Sequence, residues 1–407
     1  MTPAGPGWDG RPGTALPLAG VRVLDLTRLL PGGLCTLVLA DLGADVVKVE
    51  APPAGDHARA REPMRPSSDP STASMTFVGL NRDKRSVVLD LKSPEGHAAV
   101  LELAAGADVV VESFRPGVLS RLRIGYDDLR AVQPRIVVCS ISGWGQTGPD
   151  AQRAGHDINY LAAMGLLSFT GSATEEPALG PMQVADSSGG LLAAVSVLAA
   201  LRERDRSGEG QWVDVSMAHG SLLMAAMTVA STLGTGRAAP RQEGLWSGGV
   251  VCYQVYRCVD GWVSIGALEE KFWRTWCDAV GRPELRAGRY DPVGSPTHER
   301  VAEVFAARSR EQWRAFAVEH DCCVAVVDGL AEALAAPGTR ARGLVQRIVQ
   351  PGSPEPVAVL GFPVRFSRTV PAVGTRPAPR LGGDRVDLVE HGPAVAASGP
   401  TREGPHA

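Results

Sequence analysis

The sequence predicts an α/β chain in which a large domain, built on a parallel, doubly wound sheet, is followed by a smaller α+β domain. Three observations carry this. From residue 21 short β-branched runs alternate with helical ones, the pattern of a parallel sheet covered by helices. Near residue 250 that alternation gives way to two strand-like runs flanking Asp260-Gly261, a strong hairpin signal. The length, 407 residues, also exceeds what one hydrophobic core sustains, so two cores are expected.

In order, VRVLDL reads as the first strand, GGLCTLVLADLG as a helix and ADVVKVE as the second strand. SVVLDL, a helix near Glu95 to Ala105, DVVVES and RIVVCSIS continue the rhythm. No GxGxxG follows the first strand, so the nucleotide fingerprint of such sheets is missing and a nicotinamide enzyme is disfavoured. SGGLLAAVSVLAALRER is apolar on nearly every side until Arg202, as a helix packed between layers would be. Its apolar run, Leu191 to Leu201, falls short of the roughly 20 residues that span a bilayer. Ser231 to Ser247, rich in Gly, Arg, Thr and Pro, reads as a linker. Beyond the hairpin strands VVCYQVYRC and WVSIGA, helical patterns cover Glu270 to Val280, His298 to Ala307 and Glu311 to Val318. Residues 1–17 and 388–407 read as flexible ends.

Composition narrows the function. A net charge of -3 provides no global field to draw nucleic acid or an anionic membrane, so an anionic ligand must be held by a local basic cluster. The seven cysteines show neither CxxC nor a zinc-site spacing, so no metal is expected and they read as buried hydrophobes in a reducing compartment. The N-terminus has no continuous apolar segment of the secretory kind, and a cytoplasmic enzyme is the expectation.

Several side chains are candidates for chemistry. Asp186, in QVADSSGG, stands before the buried helix, where it is either an N-cap or a base beside N–H groups able to hold an oxyanion. His156 and Asp157, in RAGHDINYLAAMG, open another helix and read as structural or catalytic. Glu269, in IGALEEKFW, closes a strand and opens a helix whose dipole it would favour. Basic residues cluster in NRDKRS, with Arg82, Lys84 and Arg85, and in SFRPGVLSRLRIGY, with Arg115, Arg121 and Arg123 in a loop after a strand.

Taken together, GVRVLDLTRLLPGGLCTLVLADLGADVVKVE, NRDKRSVVLDLKSPEG, ADVVVESFRPGV, SGWGQTGP, the aspartate of QVADSSGG, GEGQWVDVSM and YRCVDGWVSIGALE resemble, in order, the class III CoA-transferase family. That group includes formyl-CoA and carnitine CoA-transferases and the α-methylacyl-CoA racemases. The resemblance covers roughly residues 18 to 385. It implies a Rossmann-like large domain over 18–230, a linker over 231–248, a small domain over 249–335, a return to the large domain over 336–387, and an interlocked homodimer. GHDINY and GLWSGGVVCY resemble the racemase branch, which implies His156 and Asp186 as the two acid/base groups and Glu269 as a glutamate near the histidine. The implied reaction is inversion of the α-carbon of a 2-methylacyl-CoA. The transferase alternative makes the same aspartate a nucleophile, and an inactive CoA-binding dimer is a third reading. CoA enters as part of the acyl-CoA substrate with no tightly bound cofactor. Arg82, Lys84, Arg85 and Arg115 are the candidates to hold its phosphates. Against the family pattern, Asp83 stands where glycine or asparagine is usual, Arg123 where glycine is usual and Glu270 where proline is expected.

Overall fold

Valine-rich runs supply the strands of one parallel sheet: β1 (Arg22–Leu26), β2 (Asp45–Glu50), β3 (Lys84–Val88), β4 (Val109–Glu112), β5 (Val137–Ser142) and β6 (Trp212–Ser216). The computed structural model describes residues 16–172, 176–238, 240–369, 373–374 and 376–384; the expected tail from 388 and nearly all of the N-terminal extension lie outside these. The strand order is β3-β2-β1-β4-β5-β6, with every neighbouring pair parallel. This is the Rossmann-like order, and it reverses direction between β1 and β4, where such sheets open a crevice at their carboxyl ends. The central strands β4 and β5 are buried at every position, because both of their faces are covered.

Successive side chains feed opposite layers. Val23, Val109 and Val111 point to a core shared with Cys35 and Leu39 of α1 (Leu29–Asp41). Leu24 and Val110 point to a core shared with α3 (Pro94–Ala105) and Leu129 of α5 (Tyr126–Val132). Three short helices fill connections: α2 (Met75–Asn81), α4 (Val118–Arg121) and α6 (Asp157–Ala163). The predicted buried helix is α7 (Val184–Ser207), which packs against α1, α6, β5 and β6. It is longer than the apolar run suggested and, among the described residues, is the one helix long and apolar enough to cross a membrane; half of that window is buried in the fold. Its two glycines make the packing possible. A Cβ on Gly190 would stand 2.5 Å from the Pro31 carbonyl oxygen, and one on Gly189 would stand 2.7 Å from Met217 in α8 (Met217–Ser221).

The expected linker is partly helical, since α9 (Ala226–Thr235) runs into it. Beyond lies a second core around the antiparallel sheet of β7 (Tyr253–Cys258), β8 (Gly261–Gly266) and β9 (Val324–Val326). Helices α10 (Glu270–Ala279), α11 (Pro296–Ala306) and α12 (Arg310–Glu319) pack on it through Trp273, Trp276, Phe305 and Trp313. The hairpin exists, but its turn residues are Val259 and Asp260, one position earlier than the Asp-Gly signal implies. Neither has a positive φ, so the turn is not the primed type that favours Asp-Gly. After α13 (Leu330–Ala335) and α14 (Pro337–Ala341), the hairpin of β10 (Val345–Ile348) and β11 (Val357–Leu360) brings Ile348, Val357 and Val359 against Phe77 and Val78 of α2. The last described residues are stitched to the entry of β3, where the carboxylate of Asp83, just before the strand, accepts from the Gly374 and Arg376 N–H groups at 2.7 Å each.

Candidate active site

The crevice between β1 and β4 holds two adjoining cavities, and the loops after these strands build their shared wall. After β1, Leu29 opens α1 in the left-handed region at φ 61°, which costs about 1 kcal/mol for a residue with a Cβ. It is held there by Asp56, whose carboxylate accepts the Leu29 N–H at 3.1 Å and is itself paired with buried Lys48 at 2.9 Å. The strained turn presents Arg28 to the crevice. After β4, the Glu112 carboxylate accepts the Phe114 N–H at 2.7 Å and so orders the loop that presents Ser113, Phe114 and Arg115. Burial without a cation pushes Glu112 up to about 7, with the nearby Asp214 adding to the effect and hydrogen bonds from Ser140 and the Phe114 backbone opposing it.

The first cavity, of about 240 Å³, is lined by Arg28, Arg115, Arg153, His156, Tyr160 and Asp186 among others. Gly155, His156 and Tyr160 of GHDINY line it. Gly155 must lack a side chain because a Cβ would fall 2.7 Å from the Tyr160 ring, and Gly143 is constrained by the same ring. The Tyr160 hydroxyl donates to the Gly155 carbonyl at 2.7 Å, and its ring meets Trp144 edge-on at 5.2 Å. His156 is the N-cap residue of α6, with the Asn159 side chain accepting its N–H at 3.0 Å, so the backbone is tied while the imidazole stays exposed at the cavity.

Asp186 comes to the same cavity from α7. It is not the N-cap; Gln183 is, and Asp186 sits in the first helical turn, where the dipole favours an anion. Its own N–H donates to the Asp157 carboxylate at 3.0 Å. Burial, with the negative charge of Asp157 adding to it and His156 pulling the other way, lifts the Asp186 carboxyl to about 6. The site thus brings an imidazole and a carboxyl to one cavity wall, on two helices tied by a hydrogen bond. The oxyanion role expected of the neighbouring glycines does not fit, because Gly189 and Gly190 are buried in helix packing within α7.

The phosphate-binding expectation needs correction at three of its four residues. Arg82 is 1% exposed and donates to both Asp41 oxygens, at 2.5 and 2.9 Å, and to Asp83 at 2.8 Å. Lys84 is buried under the sheet, donating to Thr36, Asn81 and Asp25, and burial drops its pKa to about 8 although Asp25 opposes that. Arg85 pairs with Asp45. All three side chains serve the fold, while Arg115 is exposed and lines the cavity. Glu269 is the N-cap residue of α10 in the second core and does not line the cavity of His156 and Asp186 within this chain.

A basic, apolar-walled slot is present elsewhere. The second cavity, of about 320 Å³, has Leu26, Val49, Leu89 and Phe114 on its walls and Arg28, Lys92 and Arg121 among its lining residues. It shares Arg28 and Phe114 with the first. Arg121 was visible in the sequence as a loop arginine after a parallel strand; Arg28 and Lys92 carried no local signal.

Comparison with known proteins agrees with this geometry. The human succinyl-CoA:glutarate CoA-transferase is 32% identical over 92% of this chain and 86% of its own length. The human α-methylacyl-CoA racemase is 33% identical over 84% of this chain and 86% of its own. A CaiB/BaiF family protein from Brucella suis has a structure that superposes with a TM-score of 0.79, at 29% identity over 91% of this chain and 97% of that one. The family model for CoA-transferase family III matches residues 18–385. With the sheet order, the crevice and the sequence motifs all in register with that match, the chain belongs to CoA-transferase family III.

Proposed function

We propose that this enzyme inverts the α-carbon of a 2-methyl-branched acyl-CoA by two-base 1,1-proton transfer between His156 and Asp186. The observation that carries the reading is the presence of both groups on the wall of one cavity, with Asp186 held at about 6. One group takes the α-proton, leaving an enolate whose charge rests on the thioester oxygen; the other returns a proton to the opposite face. Each direction uses one group as base and the other as acid, so both are needed for either. Arg28, Arg115 and Arg153 on the cavity wall favour the developing anion. The adjoining slot takes the CoA adenine, with Arg28, Lys92 and Arg121 on its phosphates, and no further cofactor is needed. The enzyme works as a homodimer, in which a second copy covers the exposed Leu191 and Val195 of α7 and Met227 and Leu233 of α9.

In deuterated water a chiral 2-methylacyl-CoA should gain deuterium at its α-carbon as optical activity is lost. His156→Ala and Asp186→Ala should each cost about 10² to 10⁴ in rate. In the direction where Asp186 is the base, activity should rise as pH passes through about 6, where the carboxylate forms. A second reading is favoured by the transferase names among relatives of equal identity. In it Asp186 attacks the thioester carbonyl, expels CoA as thiolate and forms a mixed anhydride, which hydroxylamine would trap. CoA movement between acids without deuterium uptake would establish that reading and remove the racemase one.

A further inference from the structure

The Asp157 carboxylate has no place in the reaction as written, yet it is 8% exposed, follows His156 directly and is bonded to the backbone of Asp186. It opens α6 immediately after His156, and its Oδ1 accepts the N–H of Asp186 on α7, 29 residues further on. We propose that Asp157 is a positioning residue for the acid/base pair: one carboxylate anchors the first turn of α7 and places a fixed negative charge beside Asp186. The proposal deepens the racemase reading and rests on it for its effect on rate.

The physical case has two parts. Helix α7 has no side-chain cap of its own, since Gln183 makes none, so at least one of its free N–H groups depends on a carboxylate from another element. That bond also joins the helix of His156 to the helix of Asp186, adding a directional tie to the apolar packing of α6 on α7. The second part is electrostatic. On the cavity wall Arg28 and Arg153 are cations, Arg115 faces Tyr160 and His156 is beside Asp186; Asp157, outside that lining, is the anion that raises the Asp186 proton affinity. Without it, Asp186 becomes a weaker base, and a smaller fraction of it is protonated for the reverse direction.

Asp157→Asn and Asp157→Ala separate the two parts. The asparagine keeps an acceptor for the Asp186 N–H and removes the charge; the alanine removes both. In the direction where Asp186 is the base, the acid limb of kcat/KM in Asp157→Asn should move to lower pH by about 0.5 to 1 pH unit. The maximal rate should fall less than in Asp157→Ala, where loss of position should cost about tenfold or more. A purely structural role would lower the rate in both variants and leave the limb in place, and that outcome overturns the proposal. The carboxyl of Asp186 is also titrated directly by ¹³C NMR on aspartate-labelled protein, with Asp186→Asn giving the assignment. A lower Asp186 titration point in Asp157→Asn supports the positioning role even if no α-proton exchange is seen, in which case the racemase reading alone fails. An unchanged titration point overturns the positioning role whatever the reaction.

Discussion

Arg82→Ala should unfold this protein sooner than it weakens CoA binding, and the magnitude follows from the contacts. The guanidinium donates to Asp41 at 2.5 and 2.9 Å, to Asp83 at 2.8 Å and to the Leu360 carbonyl at 3.0 Å, with both carboxylates almost wholly buried. Asp83 keeps two backbone donors after truncation, but Asp41 loses its ion-pair partner. Breaking a buried ion pair by removing one partner costs about 3–5 kcal/mol, a large share of the roughly 5–15 kcal/mol that holds a domain folded. Asp41 already lies above the usual carboxylate range because burial outweighs the pull of Arg82, so in the variant it is raised further. A carboxyl whose folded pKa exceeds its unfolded value stabilises the fold below the unfolded pKa and loses that contribution as pH rises through the folded one. The deficit should therefore be larger at pH 8 than at pH 5.

The assay is urea unfolding of wild type, Arg82→Ala and Arg121→Ala at the two pH values, beside steady-state kinetics with an acyl-CoA. Arg121→Ala should leave the unfolding midpoint alone and raise KM about tenfold with kcat kept, as expected for an exposed charge that meets a phosphate equally in ground and transition states. Arg82→Ala with an unchanged midpoint and a raised KM would refute the reasoning and return the phosphates to the NRDKRS segment.

Two further outcomes are expected. Gly190→Ala should distort the contact of α7 with the first turn of α1, because its Cβ would meet the Pro31 carbonyl at 2.5 Å; activity and thermal stability should fall together, and a variant of wild-type rate would show that α7 can shift without moving Asp186. Sedimentation at nanomolar concentration should give a dimer and no compact, folded monomer, since the apolar side chains on α7 and α9 need a cover.

The sheet was legible because strands covered on both faces read as unbroken β-branched runs, as DVVVES and RIVVCSIS do. The sixth strand, β6, was visible only inside the GEGQWVDVSM motif. It lies at the sheet edge with Trp212 and Asp214 exposed, so it shows no apolar run. Asp186 was misplaced by one turn because the first turn of α7 carries no capping residue of its own; the carboxylate that serves it, on Asp157, is remote in sequence. The same distance hid the role of Arg82 and Lys84. A basic cluster at a strand start looks alike whether it faces a ligand or lies over Asp41 and Asp25, 41 and 59 residues away. The departures from the family pattern were better signals. Asp83 and Arg123 both have left-handed backbones, at φ 64° and 56°, which explains why glycine, or asparagine at the first, is usual there. Asp83 offsets that cost by tying down Gly374 and Arg376. Glu270 is the first residue of α10, a position proline suits because its missing N–H has no intrahelical acceptor.

The missing glycine fingerprint has a structural counterpart in the turn between β1 and α1. In a dinucleotide-binding sheet that turn cradles a pyrophosphate with backbone N–H groups. Here the Leu29 N–H is already taken by Asp56, Pro31 has none to give, and the Asp56 carboxylate at the base of the turn would repel a phosphate. A Cβ on Gly32 would lie 2.1 Å from Thr27, so its bareness serves the packing of the turn and not the approach of a ligand. Recognition of an anion at this crevice therefore falls to side chains: Arg28 from the turn itself, Lys92 from beyond β3, and Arg115 and Arg121 from beyond β4. Guanidinium and ammonium groups bind phosphate from the rim and leave the floor of the crevice open. The wall of the same crevice is where α6 and α7 bring His156 and Asp186 together, the arrangement on which the proposed proton transfer rests.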